Sequence, residues 1–265
     1  MITISSRKNE SVKATAGLVR SAENRKAQGL FVVEGARLCY DACRSGVTVK
    51  QLYFTQQAQE KYGEYLQPLL EQAEETFLVE PHVAELLSST KSSQGIYAVC
   101  RMEPLRPLAE LDPNGKYIGV ENLQDPGNLG AVMRTAEALG LQGLVLLGDC
   151  CDTHSPKALR AGMGAVFRFP MYYGESFVQE ADALHKKGLV TFAAVPDAAA
   201  EIVTECAFPK GSLLLVGNEG NGLLPETVAA CSHRVTIPML GRAESLNAAA
   251  SSAILMWEMV RSGGM

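Results

Sequence analysis

SLLLVGNEGNGL, residues Ser212–Leu223, is an apolar run that stops abruptly in glycine and asparagine. A short, uninterrupted apolar run bounded by turn residues reads as a strand buried on both faces, as in a parallel sheet. Gly217, Gly220 and Gly222 crowd its C-terminal end, where the missing side chains let backbone approach a ligand or another segment. Pro225 then opens a helix. The glycines do not match G-x-G-x-x-G, and no G-K-[ST] is present, so neither a dinucleotide nor a nucleoside triphosphate fingerprint exists here. By itself the turn is equally readable as a tight strand–helix connection.

The same alternation extends outward in both directions. Upstream, YIGVEN is a strand, NLGAVMRTAEALG a helix with Gly140 near its C-cap, LQGLVLLG a strand and PKALRAGMGA a helix with Pro156 in its first turn. FRFPMYY, LVTFAAV and RVTIPM supply further strands, and ESLNAAASSAILMWEMVRSG is a long final helix. In the N-terminal part, residues 5–28 read as one polar helical arm, then strand LFVVEG, helix ARLCYDACRSG and strand VKQLYFT. A helix to about Glu75, strand TFLVE, a short helix from Pro81 and strand IYAVCR complete it. Short strands alternating with helices predict an α/β fold with a largely parallel sheet in each part. The stretch MEPLRPLAELDPNG, with three prolines, reads as a connector, giving domains 1–102 and 116–265 joined by a linker at 103–115.

Two more segments carry chemistry-bearing residues. In ENLQDPGNLGAVMRTAEALG, Asp125-Pro126-Gly127 makes a turn, and Asn128 is a candidate cap for the next helix. Arg134 lies six residues on, and at about 100° per residue it falls on the opposite face from Asn128. The two therefore need not serve one ligand from one chain. In VTIPMLGRAESLNAAASSAILMWEM, a strand ends at Ile237-Pro238-Met239, and Ser245, Leu246 and Asn247 precede a helix of small residues. Taken singly, Asn128 reads equally well as a helix cap, Ser245 reads better as one, and Arg134 reads better as a solvated or ion-paired cation.

Together the three segments resemble the ordered motifs of the SpoU/TrmH family of SPOUT methyltransferases. The Asn and Arg of the first motif fall at Asn128 and Arg134, G-N-E-G at Gly217–Gly220, and I-P-M with S-L-N-A at Ile237–Met239 and Ser245–Ala248. PKALRAGMGAVFRFP also resembles the family, with Gly162 where a serine is common. The likeness is strong over residues 117–262. LFVVEGARL and SSQGIYAV resemble, more loosely, a ribosomal-protein-like RNA-binding domain.

The resemblance implies a C-terminal SPOUT α/β domain with a trefoil knot, behind a small α/β RNA-binding domain. It implies a homodimer that uses S-adenosylmethionine to methylate a ribose 2'-hydroxyl in RNA, with large-subunit (23S) rRNA as substrate. Transfer RNA and a non-catalytic RNA-binding role are the alternatives. It places Asn128, Arg134, Glu219, Ser245 and Asn247 at the reacting groups. It assigns Gly217, Asn218, Gly220, Ile237, Pro238, Met239 and Leu246 to the cofactor, with no metal. An arginine at Arg134 suits RNA phosphate or a developing alkoxide better than a base's role.

Charge adds a direction for the substrate. The net charge is −5, against nonspecific coating of nucleic acid, yet residues 1–50 hold nine Lys/Arg and four Asp/Glu. That +5 segment on an acidic remainder offers Arg7, Lys8, Lys13, Arg25, Lys26 and Arg37 as an RNA-binding set, or simply as a solvated basic face. No apolar run reaches the ~18 residues of a membrane span. The polar N-terminus lacks the apolar core of a secretory signal. Seven cysteines without a C-x-x-C pair, and four scattered histidines, fit reduced thiols and no metal site in a cytoplasmic protein.

Overall fold

The computed structural model describes residues 2–262. In chain order its elements begin β1 (Ile2–Ile4), α1 (Glu10–Arg20), α2 (Ala22–Gln28), β2 (Leu30–Glu34), α3 (Ala36–Arg44), β3 (Val49–Phe54), α4 (Gln56–Lys61), α5 (Gly63–Gln72), β4 (Glu75–Val79), α6 (Pro81–Ala84) and β5 (Ile96–Arg101). They continue β6 (Arg106–Pro107), β7 (Lys116–Glu121), α7 (Pro126–Ala138), β8 (Gly143–Leu147), α8 (Pro156–Gly162), β9 (Met171–Gly174), α9 (Phe177–Lys186) and β10 (Val190–Ala194). The last are β11 (Glu201–Ile202), β12 (Ser212–Val216), α10 (Pro225–Ala230), β13 (His233–Thr236) and α11 (Ala248–Ser262). Two compact units result: residues to Pro104 together with His154–Arg168, and Leu105–Thr153 together with Phe169 onward.

The first unit is built on a five-stranded sheet of order β1-β4-β3-β5-β2. It is mixed, not largely parallel. β1, β4 and β3 run parallel, but β5 is antiparallel to both β3 and β2, between which it inserts. Helix–strand alternation reports only that strands are separated by other structure. Here the connection from β4 to β5 is a single helical turn and a loop, without the full helical crossover that brings a chain back parallel. Tyr53 stacks on Phe77 at 4.9 Å in a core shared with Val12, Leu18, Val32 and Val99. α8 belongs to this unit, where Phe31 meets His154 at 4.5 Å and Phe167 at 6.2 Å between ring centroids.

The polar N-terminal arm is two helices rather than one. Ser21 has extended backbone, and its hydroxyl accepts from the Asn24 amide to start α2. The break lets Arg25 turn inward. It is 4% exposed, and its Nη1 donates to the carbonyls of Leu18 (2.5 Å) and Val19 (3.3 Å), which α1 leaves unpaired at its C-terminus. Arg25 is therefore removed from the RNA-binding set: its charge is held by the end of α1. Arg7, Lys8, Lys13, Lys26 and Arg37 are exposed.

The second unit holds an eight-stranded sheet, β11-β13-β10-β12-β7-β8-β9-β6, in which every pairing is parallel. β12, all five residues buried, lies between β10 and β7, as its apolar run predicts. The proline-containing stretch is more than a connector. β6 joins the sheet edge, and Leu108 and Leu111 are buried beneath α9 and its neighbours. α11 begins at Ala248, so Glu244–Asn247, read from the sequence as helix, are loop. Among the described residues no helix is long and apolar enough to cross a membrane, and no cluster of three His, Cys, Asp or Glu is arranged to hold a metal.

Arg25 provides a test of this packing. Arg25→Ala strips charged donors from buried carbonyls and should destabilise the protein by about 2–3 kcal/mol. Lys26→Ala, at the exposed neighbouring position, should stay within about 0.5 kcal/mol. Urea unfolding of the two variants checks the contrast.

Candidate active site

β7, β12 and β13 belong to one parallel sheet, so the loops after Glu121, Val216 and Thr236 all leave from the same end. These loops carry the three motifs. Loops at the carboxyl ends of parallel strands are where such sheets bind ligands.

The glycine turn is folded on itself. Asn218 N donates to Gly222 O at 3.0 Å and Gly222 N to Asn218 O at 2.9 Å. The Asn218 side-chain oxygen accepts from the amides of Gly220 (2.8 Å) and Asn221 (3.1 Å), and its amide donates to Asn122 O at 2.8 Å. Gly217 has no room for a side chain, since a Cβ there would meet the Gly222 carbonyl carbon at 2.0 Å. Beyond the turn, the buried Glu121 carboxylate accepts from Leu224 N at 2.8 Å and Thr227 Oγ1 at 2.6 Å. It thereby fixes the start of α10 to the end of β7.

The turn aims Glu219 at the first motif. Its Oε1 accepts from Asn128 Nδ2 (3.0 Å) and Asp125 N (3.1 Å), and its Oε2 accepts from Gln124 N (3.3 Å). The carboxylate thus sits at amides that lead into α7, where negative charge is favoured. Burial pushes its pKa up. The bonds from Asn128 and from backbone amides, including those of Asp125 and Gln124, outweigh that effect and hold it below the usual carboxylate value.

The cap of α7 is Asp125, whose side chain accepts from Asn128 N at 2.9 Å, so the expected capping role does not fall to Asn128. Asn128 is thereby free to bridge. Its Oδ1 accepts from Asn247 Nδ2 at 3.0 Å, and Asn247 Oδ1 in turn accepts from the amides of Ala249 (3.0 Å) and Ala250 (3.3 Å) at the start of α11. Residues ninety to one hundred and twenty apart in the chain are joined as Glu219–Asn128–Asn247.

Other expected residues lie elsewhere. Arg134 is exposed on α7, its side chain forms no hydrogen bond or ion pair among the described residues, and Glu219 does not contact it. Ser245 is exposed in the loop before α11, whose first amides are met by Asn247 instead. Ile237 and Met239 are half-buried, and Pro238 and Leu246 exposed. The sequence reading omitted Asp125 as cap, Asn122 and Glu121. Asn122 is a non-glycine residue at φ 53° whose Oδ1 accepts from Asp149 N at 2.8 Å. The D-P-G turn signalled Asp125; nothing in the sequence signals the left-handed backbone of Asn122.

Residues 115–257 match the SpoU rRNA Methylase family, and residues 9–98 match the MRM3-like substrate binding domain. The chain belongs to the SpoU rRNA methylase family. An uncharacterized tRNA/rRNA methyltransferase of Synechocystis sp. is 32% identical over 98% of this chain and 93% of that protein. The 23S rRNA (guanosine(2553)-2'-O)-methyltransferase RlmP of Bacillus subtilis is 29% identical over 98% and 99%. The crystal structure of an AdoMet-bound rRNA methyltransferase from Sinorhizobium meliloti superposes with a TM-score of 0.86 at 27% identity, covering 98% of this chain and 97% of that one. The SpoU match contains the whole Glu219–Asn128–Asn247 network.

The network should be pH-sensitive in a defined sense. Because folding lowers the Glu219 pKa, its contribution is present above the unfolded value near 4.5 and is lost as pH falls through the folded value. Glu219→Gln should therefore be less stable than the parent near pH 7, with the gap closing as pH falls below the ordinary carboxylate value. Urea midpoints of both proteins across that range provide the measurement.

Proposed function

We propose that this enzyme transfers a methyl group from S-adenosylmethionine to a ribose 2'-hydroxyl of large-subunit rRNA. The observation that supports it best is the hydrogen-bonded chain Glu219–Asn128–Asn247, which unites the three motif loops at the carboxyl end of a parallel sheet. The relatives named for 23S rRNA methylation and for bound AdoMet point the same way.

The residues present fit the cofactor. Among the described residues, no hydrogen bond uses a backbone group of residues 238–246, and Leu240 and Leu246 are 98% and 38% exposed. Free peptide donors and acceptors beside apolar side chains suit a purine edge and face. Gly217, Asn218 and Gly220 would line one side of such a site, and Ile237, Pro238, Met239 and Leu246 the other. S-adenosylmethionine supplies a methyl on a sulfonium, which departs as a neutral thioether.

The protein's task is then to hold the ribose hydroxyl in line with that methyl. Aligning two reactants can lower a barrier by about 7–11 kcal/mol. Glu219, with its lone pairs engaged by three donors, acts as a positioning residue rather than a proton acceptor. It holds Asn128, and Asn128 holds Asn247. Ser245, on the adjoining exposed loop, is available to the ribose.

Arg134 acts on RNA phosphate or the developing alkoxide, and it does so in the site of a partner subunit. Its place on the face of α7 away from Asn128 and its lack of an intramolecular partner support this. The functional form is accordingly a homodimer with the cofactor pocket at a knotted interface, and the enzyme works in the cytoplasm. Arg7, Lys8, Lys13, Lys26 and Arg37 hold the RNA outside the reacting centre.

Calorimetry should show S-adenosylmethionine binding and no nicotinamide dinucleotide binding; the reverse result removes the assignment. Nucleotide mapping after incubation with 23S rRNA or transfer RNA should place a 2'-O-methyl group in the former. Arg134→Ala should lower turnover by roughly 10²–10³ while cofactor affinity stays near the parent's, and Arg134→Lys should restore it only in part. Mixing Arg134→Ala with Asn247→Ala chains should recover part of the activity if Arg134 crosses the interface.

A further inference from the structure

The first unit carries a polar cavity of about 400 Å³, separate from every site residue named above. It lies where β3 and β4, paired in parallel, both end. Thr55 comes directly after β3, Gln57 and Lys61 lie on α4, Tyr62 links α4 to α5, and Lys91 and Gln94 come from the loop before β5. The carboxyl ends of adjacent parallel strands are the usual ligand position in such sheets.

The loop that forms one wall is fixed before any ligand arrives. The Glu34 carboxylate accepts from Ser88 Oγ (2.7 Å), Ser89 N (2.8 Å) and Thr90 Oγ1 (2.8 Å). Gln94 Oε1 accepts from Ala36 N at 2.7 Å, and Ser93 Oγ and Tyr97 Oη share a bond of 2.5 Å. Gly95 closes the loop at φ +71°, with Thr55 Oγ1 only 2.6 Å from where a Cβ would stand. A wall ordered in advance reduces the entropy lost on binding.

The exposed wall groups have a definite chemistry. Lys61 and Lys91 form no ion pair among the described residues, while Glu85 is the one carboxylate of the lining. The Tyr62 ring already attracts a cation, with Lys61 Nζ 5.3 Å from its centroid. The Gln94 amide group keeps its donors, because its oxygen is the atom used on α3. Cations for phosphate, a ring for stacking and amides for base edges are what single-stranded RNA recognition requires. An acidic peptide would use the lysines and the amides but brings no base to stack on the ring. The volume, within the ~300–1,000 Å³ of ordinary small-ligand sites, suits one nucleotide rather than a duplex.

We propose that this cavity takes one unstacked nucleotide of the RNA substrate, with its base on Tyr62 and its phosphate on Lys61 and Lys91. The proposal rests on the reading of the protein as an RNA methyltransferase. It puts the sequence-sensitive contact at residues 57–94, apart from the basic residues of α1 and α2.

Fluorescence anisotropy of the full-length protein with a short labelled single-stranded RNA tests it, alongside calorimetry with S-adenosylmethionine. Lys61→Ala/Lys91→Ala should weaken RNA binding by about tenfold and lower the salt slope by about 0.7 per lysine. Tyr62→Leu should weaken binding by at least about fivefold with the slope unchanged, because stacking releases no counterions. Cofactor affinity should match the parent in both variants, and an unchanged urea-unfolding midpoint of the first unit shows that the mutated part is folded. Parent-like RNA affinity in both variants, with cofactor binding intact, overturns the cavity while leaving the methyltransferase reading in place. A parent protein that binds neither RNA nor S-adenosylmethionine overturns that reading and the cavity with it. Tight binding of free nucleoside monophosphates, abolished by the variants while RNA binding persists, makes the cavity a free-nucleotide site and overturns the RNA assignment.

Discussion

Gly217 lies so close to the backbone of Gly222 and Leu223 that no other residue fits, and the order of the active site descends from that contact. It turns the chain back at the end of β12 within six residues. The reversal places Asn218 where its amide reaches Asn122 O, and Glu219 where its carboxylate reaches the start of α7. A looser turn would leave Glu219 with no fixed relation to Asn128. The local cost of glycine, its greater freedom when unfolded, is offset by the hydrogen bonds that the tight turn permits.

From that turn runs a relay of polar side chains in which each is held by the next. Glu219 accepts from three donors, Asn128 faces Glu219 with its amide and Asn247 with its oxygen, and Asn247 ends on the amides of α11. Amides donate and accept at once, so they pass orientation along a chain of contacts that carboxylates or ammoniums alone would terminate. Glu121 does comparable work at the buried end of the same turn, tying α10 to β7. The carboxylates here serve to fix loops. This suits a reaction in which the departing group is neutral and alignment is the main requirement.

The two units meet their polar groups differently. In the second, the loop after β13 keeps backbone groups and leucines open, as a cofactor site needs. In the first, Glu34 and Gln94 tie down the loop between α6 and β5, so the open groups are side chains on a rigid wall. Arg25 shows how charge alone misleads: one of nine cations in the basic segment is consumed by the carbonyl end of α1.

The sequence by itself determined the parallel sheet of the second unit, because buried strands must be apolar throughout and their glycine-rich exits are short and local. It also marked Asn128, Glu219 and Asn247, through motifs whose likeness to the family is carried in the residue string. Only the tertiary structure decided that β5 runs against its neighbours, since strand direction depends on which end of the sheet the chain returns to. Only it showed that Asp125, not Asn128, caps α7, that α11 starts at Ala248, after the Asn247 side-chain oxygen that accepts from its first amides, rather than at Glu244, and that α8 packs with the first unit. The cap and the helix start turn on a choice between neighbouring residues, Asp125 or Asn128 and Asn247 or Glu244, and contacts with distant parts of the chain decide it.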